Sequence, residues 1–343
     1  MSKILVAGGA GYIGSHTTVE LQQRGYEVLV ADNLSNSRED VLNNIAKITG
    51  VRPLFEKADL ALQAACHALF EKHKDIAAVI NFAAYKSVNE SVQQPLAYYH
   101  NNLDIVLNEL TEMDRLGIMN YVQSSSCTVY GEPDTLPITE QAQLKPPLTP
   151  YGMTKRMTED ILDDCAKQDK VHAVALRYFN PIGAHPSALI GELPNGVPNN
   201  LMPYITQTAA GIRAQLAVFG DDYDTPDGTC IRDFIHVVDL AKSHVCAVER
   251  LLHNQQKAHF EVFNIGTGKG FSVLQVIKSF ERMSGRKLNY RIAGRREGDI
   301  EKIWADTTYS NEELGWHSKQ TLDDMTRDAW RWQQALMARE QGL

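Results

Sequence analysis

The chain has 343 residues, of which 43% are hydrophobic and 22% are charged, and its formal net charge at pH 7 is −8. This composition is typical of a globular protein and excludes a disordered chain, and the length predicts one large domain or two unequal ones. The acidic balance, without any block of like charge, excludes a basic nucleic-acid surface.

The cysteines indicate a reducing compartment. Because they are scattered and form no C-x-x-C pair, we expect reduced thiols in the cytoplasm and no bound metal. The apolar run after Met1 ends at Gly8, so we interpret it as a strand rather than a signal peptide. No apolar stretch approaches the ~20 residues of a membrane span, so no membrane partner is expected. The cysteines are Cys66, Cys127, Cys165, Cys230 and Cys246.

The first half of the chain alternates short β-branched runs with helical patterns, which predicts an α/β fold with a doubly wound parallel sheet. Pro, Gly and Asn accumulate after residue 180, so we expect one domain over residues 1–179 and a smaller mixed α/β domain over 180–343. Some segments of the second domain are allowed to return to the sheet. The predicted strands are 3–7, 27–31, 53–57, 78–81, 121–124 and 172–177, and the predicted helices are 12–24, 61–73, 95–116 and 151–167.

A glycine-rich turn joins the first predicted strand to the first predicted helix. The spacing of Gly8, Gly11 and Gly14 lets the backbone turn tightly and approach a pyrophosphate, to which the helix offers its first N–H groups. Asp32 ends the second strand, where a carboxylate accepts hydrogen bonds from the adenosine ribose and repels a 2′-phosphate. Together these features predict a Rossmann-type domain that binds NAD.

A second glycine cluster, residues 266–270, is interpreted as structural. Ser272 and Gln275 form a capping box, which explains a turn into a helix without a phosphate ligand. We therefore place no nucleotide at this cluster.

A tyrosine and a lysine supply the predicted base. Of the 13 tyrosines, only Tyr151 has a lysine four residues later, Lys155, so the two share one helix face. A free phenol has a pKa near ~10. A neighbouring ammonium and an oxidised nicotinamide both favour the phenolate, and would lower that pKa towards neutrality. A serine run, residues 124–126, ends a strand nearby and would face the ligand crevice.

These motifs resemble the extended short-chain dehydrogenase/reductase family and, within it, the UDP-galactose 4-epimerase family. The resemblance covers nearly the whole chain in matching order. It implies that Tyr151 is the base, that Lys155 is its electrostatic partner and a ribose ligand, and that Ser126 donates a hydrogen bond to the reacting oxygen. The resembling segments are 32–34, 90–92, 124–131, 177–186, 198–204, 232–239 and 295–299.

The resemblance also implies two sets of contacts. The arginines among them suit a diphosphate, which needs charge-assisted donors in a fixed fork. The implied NAD contacts are Gly8, Gly11, Tyr12, Ile13, Gly14, Asp32, Asn33, Asp59, Leu60, Phe82, Ala83, Ala84, Lys86, Asn101, Ser126, Tyr151, Lys155 and Phe179. The implied sugar-nucleotide contacts are Ser126, Tyr151, Asn180, Asn200, Leu201, Ala217, Phe219, Arg232, Arg296, Asp299 and Ile303.

The implied activity is a redox-neutral isomerisation in galactose metabolism. UDP-glucose and UDP-galactose would interconvert through a 4-keto intermediate, with NAD regenerated in each turnover, in a homodimer. Related sugar 4,6-dehydratases and uronate decarboxylases carry carboxylic acids after the catalytic hydroxyl residue, where this chain has Cys127 and Thr128. A dehydrogenase that releases NADH and a non-catalytic NAD-sensing protein are the remaining alternatives.

Ile303 bears on substrate choice. Strict glucose/galactose members of the family carry a bulky tyrosine there, and members that accept N-acetylhexosamines carry a smaller residue. Isoleucine is shorter than tyrosine but wide near the backbone, so we expect partial tolerance of UDP-N-acetylhexosamines. The alternative is that Ile303 only packs in the core. Cys127 stands where alanine is common in the family, and its oxidation is a candidate route to inhibition.

Overall fold

The computed structural model describes residues 2–296 and 299–341. Within these residues the chain forms thirteen strands and eleven α-helices. The strands are β1 (Lys3–Ala7), β2 (Glu27–Asp32), β3 (Leu54–Lys57), β4 (Ile76–Asn81), β5 (Asn120–Ser126), β6 (His172–Tyr178), β7 (Asn180–Ile182), β8 (Leu216–Phe219), β9 (Ile231–His236), β10 (Phe260–Ile265), β11 (Gly270–Ser272), β12 (Tyr290–Ala293) and β13 (Lys302–Ile303).

The helices alternate with these strands over the first half of the chain. A short 3₁₀ helix, Cys127–Tyr130, follows β5 directly. The α-helices are α1 (Tyr12–Gln23), α2 (Asp40–Thr49), α3 (Gln63–Lys72), α4 (Val88–Gln93), α5 (Pro95–Leu116), α6 (Pro150–Lys167), α7 (Leu201–Ala209), α8 (Val237–Leu252), α9 (Val273–Ser284), α10 (Thr308–Glu313) and α11 (Leu322–Glu340).

A parallel main sheet organises the molecule, with strand order β10-β6-β5-β4-β1-β2-β3. Its central strands are nearly continuous apolar runs because helices cover both faces. Helices α1, α2 and α8 enclose one apolar core against the sheet, and helices α3, α5 and α6 enclose the other. The predicted α/β doubly wound fold is confirmed.

The second half of the chain contributes to the main sheet and to a smaller layer. Strand β10 pairs with β6, and α8 packs against α1, so the main sheet takes in segments well beyond residue 180. The smaller layer contains β9 with β7, β11 and β13, and a separate β8–β12 pair. The boundary near residue 180 stays a prediction. No helix in the described part of the chain is long and apolar enough to cross a membrane.

Candidate active site

The carboxyl ends of the main-sheet strands open into one large cavity. Its volume is about 1420 Å³. The lining comes from the segments that follow β1, β2, β4, β5 and β6, together with the first turns of α6 and part of α11. This is the edge at which open α/β sheets bind their ligands.

The glycine turn after β1 fits a dinucleotide. Gly8 has a φ of +72°, and a Cβ there would lie 2.7 Å from the backbone nitrogen of Ala83. A Cβ on Gly14 would lie 2.4 Å from the carbonyl oxygen of Gly8, so any side chain would force α1 away from the sheet. Helix α1 begins without a side-chain cap, and its first residues line the cavity, so their N–H groups are available to a pyrophosphate.

Asp32 lines the cavity next to the glycine turn. One carboxylate oxygen, Oδ2, accepts the backbone N–H of Ala10 at 3.1 Å, and Oδ1 accepts the backbone N–H of Leu34 at 2.9 Å and the hydroxyl of Ser37 at 2.8 Å. Since each carboxylate oxygen has two lone pairs, Oδ2 retains one for a ribose hydroxyl. The residues present therefore fit NAD.

Tyr151 and Lys155 lie one turn apart at the start of α6. Thr149 begins the helix by accepting the backbone N–H of Gly152 at 3.3 Å. The Nζ of Lys155 is buried, donates to the carbonyl oxygen of Ser124 at 2.6 Å, and lies 5.9 Å from the centre of the Tyr151 ring. The predicted pair is thus formed beside the end of β5.

The electrostatics of this pair differ from the sequence expectation. Burial raises the pKa of the Tyr151 phenol above its ordinary value, and the hydrogen bond with Ser126 opposes that rise without cancelling it. Burial also lowers the pKa of Lys155 to about 8. The chain alone therefore keeps the phenol protonated, and a further positive charge at the ring is needed to make it a base.

Ser126 ends β5 beside the tyrosine. Its Oγ accepts the backbone N–H of Thr128 at 3.2 Å and the Thr128 hydroxyl at 3.0 Å. These bonds use the acceptor sites of Ser126, so its hydroxyl proton is the one directed to the Tyr151 phenol, and a ligand oxygen beside Tyr151 would accept it instead. The serine is mostly buried, at 7% exposure, so a bond that it donates is not weakened by bulk water.

A buried ion pair joins the helix and strands that carry Tyr151 and Ser126. Glu159 on α6 accepts two short hydrogen bonds, one from Arg177 on β6 at 2.6 Å and one from the Ser125 hydroxyl at 2.5 Å. The Arg177 guanidinium stacks 4.8 Å from the ring centre of Tyr130. These contacts fix α6, β5, β6 and the 3₁₀ helix relative to one another.

All of the implied NAD contacts line the cavity. They come from separate strand ends, which explains why they are scattered in the sequence. These residues are Gly8, Gly11, Tyr12, Ile13, Gly14, Asp32, Asn33, Asp59, Leu60, Phe82, Ala83, Ala84, Lys86, Asn101, Ser126, Tyr151, Lys155 and Phe179. Their contacts with the cofactor stay a prediction.

The implied sugar-nucleotide contacts divide into two groups. Asn180 and Asn200 line the cavity together with Ser126 and Tyr151. The others belong to the smaller layer or its edge, outside the cavity lining: Leu201, Ala217, Phe219, Arg232, Arg296, Asp299 and Ile303.

Most of the second group gathers around Asp299. This carboxylate lies 3.7 Å from Arg232 and 2.6 Å from Arg296, whose guanidinium is 5.7 Å from the ring centre of Phe219. Arg232 is close enough to Cys127 for its charge to act on the thiol, which places this cluster beside the reacting end of the cavity. The predicted motif 295–299 includes residues 297 and 298, which lie outside the described residues.

Ile303 packs in a small apolar cluster. It is 3% exposed, pairs with Arg232 across β13 and β9, and packs with Tyr130 and Phe179. Phe179 and the neighbouring Cys127 do line the cavity. Ile303 therefore lies behind the cavity wall, and its role in substrate choice stays a prediction.

Two cavity residues, Trp332 and Glu192, are absent from the sequence expectations. Trp332 on α11 lines the cavity and donates from its indole to the carbonyl oxygen of Glu192 at 2.8 Å. The Glu192 carboxylate also lines it, accepts the Asn200 amide at 2.6 Å and lies 3.5 Å from Lys86. No local pattern marks either residue, because Glu192 lies in an irregular segment and Trp332 in an ordinary amphipathic helix.

The second glycine cluster is structural, as predicted. The capping box of Ser272 and Gln275 begins α9. The buried Asp233 carboxylate holds the turn by accepting the backbone N–H of Thr267 at 2.8 Å and that of Gly268 at 3.1 Å. This carboxylate accepts the backbone N–H groups that a phosphate at this turn would need.

A cavity lined by a glycine turn, a strand-end aspartate and a Tyr–Lys pair is typical of the short-chain dehydrogenase/reductase class. The NAD dependent epimerase/dehydratase family model matches residues 4–266, and the chain belongs to this family. NAD is accordingly its cofactor.

Three relatives show how close the similarity is. The UDP-glucose 4-epimerase of Bacillus subtilis is 52% identical over 96% of both chains. The crystal structure of UDP-glucose 4-epimerase from Stenotrophomonas maltophila, with bound NAD and formylated UDP-arabinopyranose, is 47% identical with a TM-score of 0.95, over 99% of this chain and 100% of that one. The UDP-Glc/GlcNAc 4-epimerase of Campylobacter jejuni is 36% identical with a TM-score of 0.84, over 98% and 100%.

Proposed function

We propose that this protein interconverts UDP-glucose and UDP-galactose by inverting C4 of the hexose through a 4-keto intermediate. The observation that carries the proposal is that the Tyr151 phenol lines the same cavity as the glycine turn and Asp32, which fit NAD, and as Asn180 and Asn200. The Bacillus subtilis relative, named for this activity, matches this chain over 96% of both lengths.

Tyr151 is the group that moves the proton. When bound, NAD supplies the hydride acceptor and donor for C4. Tyr151 takes the proton from the sugar 4-hydroxyl as that carbon is oxidised and returns it on reduction, while Ser126 donates a hydrogen bond to the same oxygen. Because burial raises the pKa of the phenol, Tyr151 becomes an effective base only when positive charge lies beside it.

The residues after Ser126 favour epimerisation over elimination. Elimination of water needs an acid beside the sugar, and Cys127 and Thr128 offer none. Burial raises the pKa of the Cys127 thiol to about 12, and the Thr128 hydroxyl is committed to Ser126 at 3.0 Å. Both residues therefore position the serine rather than transfer protons.

The cluster around Asp299 suits the diphosphate. Arg232 and Arg296 share this one carboxylate, so the cluster keeps a net positive charge. Guanidinium groups form paired, charge-assisted hydrogen bonds with phosphate oxygens. A sugar anchored only by its diphosphate can present either face of its 4-keto group to the same cofactor.

Partial activity on UDP-N-acetylhexosamines is part of the proposal. The Campylobacter jejuni relative is named as a UDP-Glc/GlcNAc enzyme. Ile303 packs behind Phe179 and Cys127, which line the cavity, and it is shorter than a tyrosine ring at this position would be. We expect UDP-galactose to be the better substrate and UDP-N-acetylgalactosamine to react more slowly.

We also propose that the protein is a cytoplasmic homodimer. The five cysteines are unpaired in the described structure, which fits a reducing compartment. The dimer is an expectation from the family, and light scattering of the purified protein tests it. A monomer with full activity would contradict it.

The experiment uses protein purified without added nucleotide. Denaturing a sample releases the bound nucleotide for chromatography, and a second sample receives UDP-galactose without added NAD. We expect close to one NAD per chain, little NADP, and conversion to an equilibrium mixture of the two UDP-hexoses. Tyr290→Phe, on exposed strand β12, serves as the matched control for Tyr151→Phe.

Three outcomes would contradict the proposal. Accumulation of NADH in proportion to product would indicate a dehydrogenase. Loss of water from the sugar would indicate a dehydratase. Bound NAD without turnover of any UDP-hexose would indicate a sensing or scaffold role.

A further inference from the structure

Three metal-binding side chains meet at the edge of the main sheet opposite the cavity. Asp169 lies just after α6, His172 is the first residue of β6, and His259 comes directly before β10. Because β6 and β10 are parallel neighbours, with Ala173 donating its N–H to the carbonyl oxygen of His259 at 2.7 Å, the two histidines lie side by side. The sheet register therefore creates this cluster.

The distances suit a single small cation. Asp169 Oδ1 lies 3.4 Å from His259 Nδ1 and 3.7 Å from His172 Nε2, and the three ligand atoms all lie within 4.8 Å of one another. Tetrahedral zinc, with bonds of about 2.1 Å, places its ligand atoms about 3.4 Å apart. The two histidine nitrogens lie within 4.8 Å of each other, and the half-exposed His259 ring is the one that would adjust to bring them closer.

Gln256 lies against the His172 ring on the side away from Asp169 and can fix its tautomer. The amide nitrogen of Gln256, Nε2, lies 3.2 Å from Nδ1 of His172. Its Oε1 is buried and has no hydrogen-bond partner within the described structure. Turning the amide places this oxygen against Nδ1, which then carries the proton and leaves the Nε2 lone pair facing Asp169. Metal-binding histidines usually donate their second N–H to such a fixed acceptor.

The lysine next to Asp169 pairs with a different carboxylate, so it does not compete with the two histidine rings for Asp169. The neighbouring Lys170 directs its ammonium to Asp114, at 2.9 and 3.0 Å from the two carboxylate oxygens. Asp169 itself has a φ of +57°, a backbone position after a helix where glycine is usual. Asp169 therefore places a carboxylate at a backbone position that favours glycine.

We propose that Asp169, His172 and His259 bind one divalent transition-metal ion, such as Zn²⁺. Two imidazoles and one carboxylate favour zinc, nickel or copper over magnesium and calcium, which prefer oxygen ligands. The side chains of Asp169 and His259 are 73% and 52% exposed, so water completes the coordination. This proposal departs from the sequence expectation of no bound metal, because the ligands become neighbours only in the folded sheet.

The site ties the end of α6 to β6 and β10. Helix α6 carries Tyr151 in its first turn, whereas the metal site lies past its last turn. A bound ion therefore stabilises the folded protein without touching the reacting atoms. This inference is independent of the proposed reaction, since binding and thermal stability report on it directly.

The test titrates the NAD-loaded protein, freed of metal with a chelator, by calorimetry with Zn²⁺ and separately with Mg²⁺. We expect one Zn²⁺ per chain, no measurable heat with Mg²⁺, and a rise of a few degrees in Tm at saturating zinc. His259→Ala and Asp169→Asn should abolish this binding, and asparagine tolerates the same backbone conformation. Gln256→Ala should weaken it by about 10–100-fold.

The matched control is His100→Ala. His100 is an exposed histidine 3.4 Å from a single carboxylate, Asp104, on α5, so its loss should leave zinc binding unchanged. No zinc binding to the parent protein would overturn the proposal. Binding that survives unchanged in His259→Ala and Asp169→Asn would also overturn it, because the ion would then be held elsewhere.

Discussion

Replacing Lys155 with methionine removes a buried positive charge while keeping an unbranched side chain of similar length. The lysine ammonium lies 5.9 Å from the centre of the Tyr151 ring. At an effective dielectric of about 20, a unit charge at that distance stabilises a phenolate by about 3 kcal/mol. That energy corresponds to ~2 pKa units. We therefore expect Lys155→Met to raise the pKa of Tyr151 in the NAD-loaded enzyme by about that amount.

The assay is the pH dependence of UDP-galactose turnover. At neutral pH, kcat should fall by about 100-fold, and the acid limb of the profile should move up by ~2 pH units. In the parent protein, burial lowers the pKa of Lys155 to about 8. Its ammonium therefore loses its proton as pH rises through that value, and kcat/KM should fall there. The variant should lack this alkaline limb.

The control is Lys167→Met, in the last turn of the same helix. Lys167 is exposed and pairs only with Asp163 and Asp164 in the described structure, so turnover should stay at the parent value. Lys155→Met also removes one of two side-chain donors to the Ser124 carbonyl, which keeps the hydrogen bond from the Gln123 amide. NAD content and Tm must therefore be measured on the same samples. An unshifted acid limb in a folded, NAD-loaded variant would refute the electrostatic role.

Three further predictions concern substrate choice, stability and thiol reactivity. Ile303→Tyr should abolish turnover of UDP-N-acetylgalactosamine but spare UDP-galactose, compared as kcat/KM; equal loss on both would contradict it. Burial lowers the pKa of His244 from 6.5 to about 4 in the folded protein. As pH drops from 6.5 to about 4, the unfolded chain therefore binds a proton that the folded protein does not, and the free energy of unfolding falls. His244→Phe should therefore reduce the slope of unfolding free energy against pH by up to about 1.4 kcal/mol per unit, and an unchanged slope would refute this. Burial raises the pKa of Cys127 to about 12, so iodoacetamide at neutral pH should leave it intact in the native protein, as mass spectrometry can check; rapid labelling would instead indicate a reactive thiol.

The cofactor side of the molecule is predictable because its signals are local. The turn through Gly8 and Gly14 and the strand end at Asp32 each occupy a short stretch with a known physical purpose. Likewise, Tyr151 and Lys155 share a helix face by spacing alone. Their places in the structure match the sequence expectation.

The substrate side is less predictable because distant segments form it. The Trp332 indole donates to the carbonyl oxygen of Glu192, which lies 140 residues earlier in the sequence. No local sequence pattern marks either residue. Arg232 and Arg296 would pass for surface charges without the family resemblance. The burial that raises the pKa of Tyr151 also depends on the whole fold, so spacing alone could not reveal it.

The most direct test of the proposed chemistry is turnover of UDP-galactose by NAD-loaded Tyr151→Phe. We expect normal folding and parent-level NAD content, with a rate at least ~10²–10⁴-fold lower than the parent rate, because the general base is lost. Tyr290→Phe should react at the parent rate. Turnover near the parent rate in a folded, NAD-loaded Tyr151→Phe protein would contradict the assignment of Tyr151 as the base.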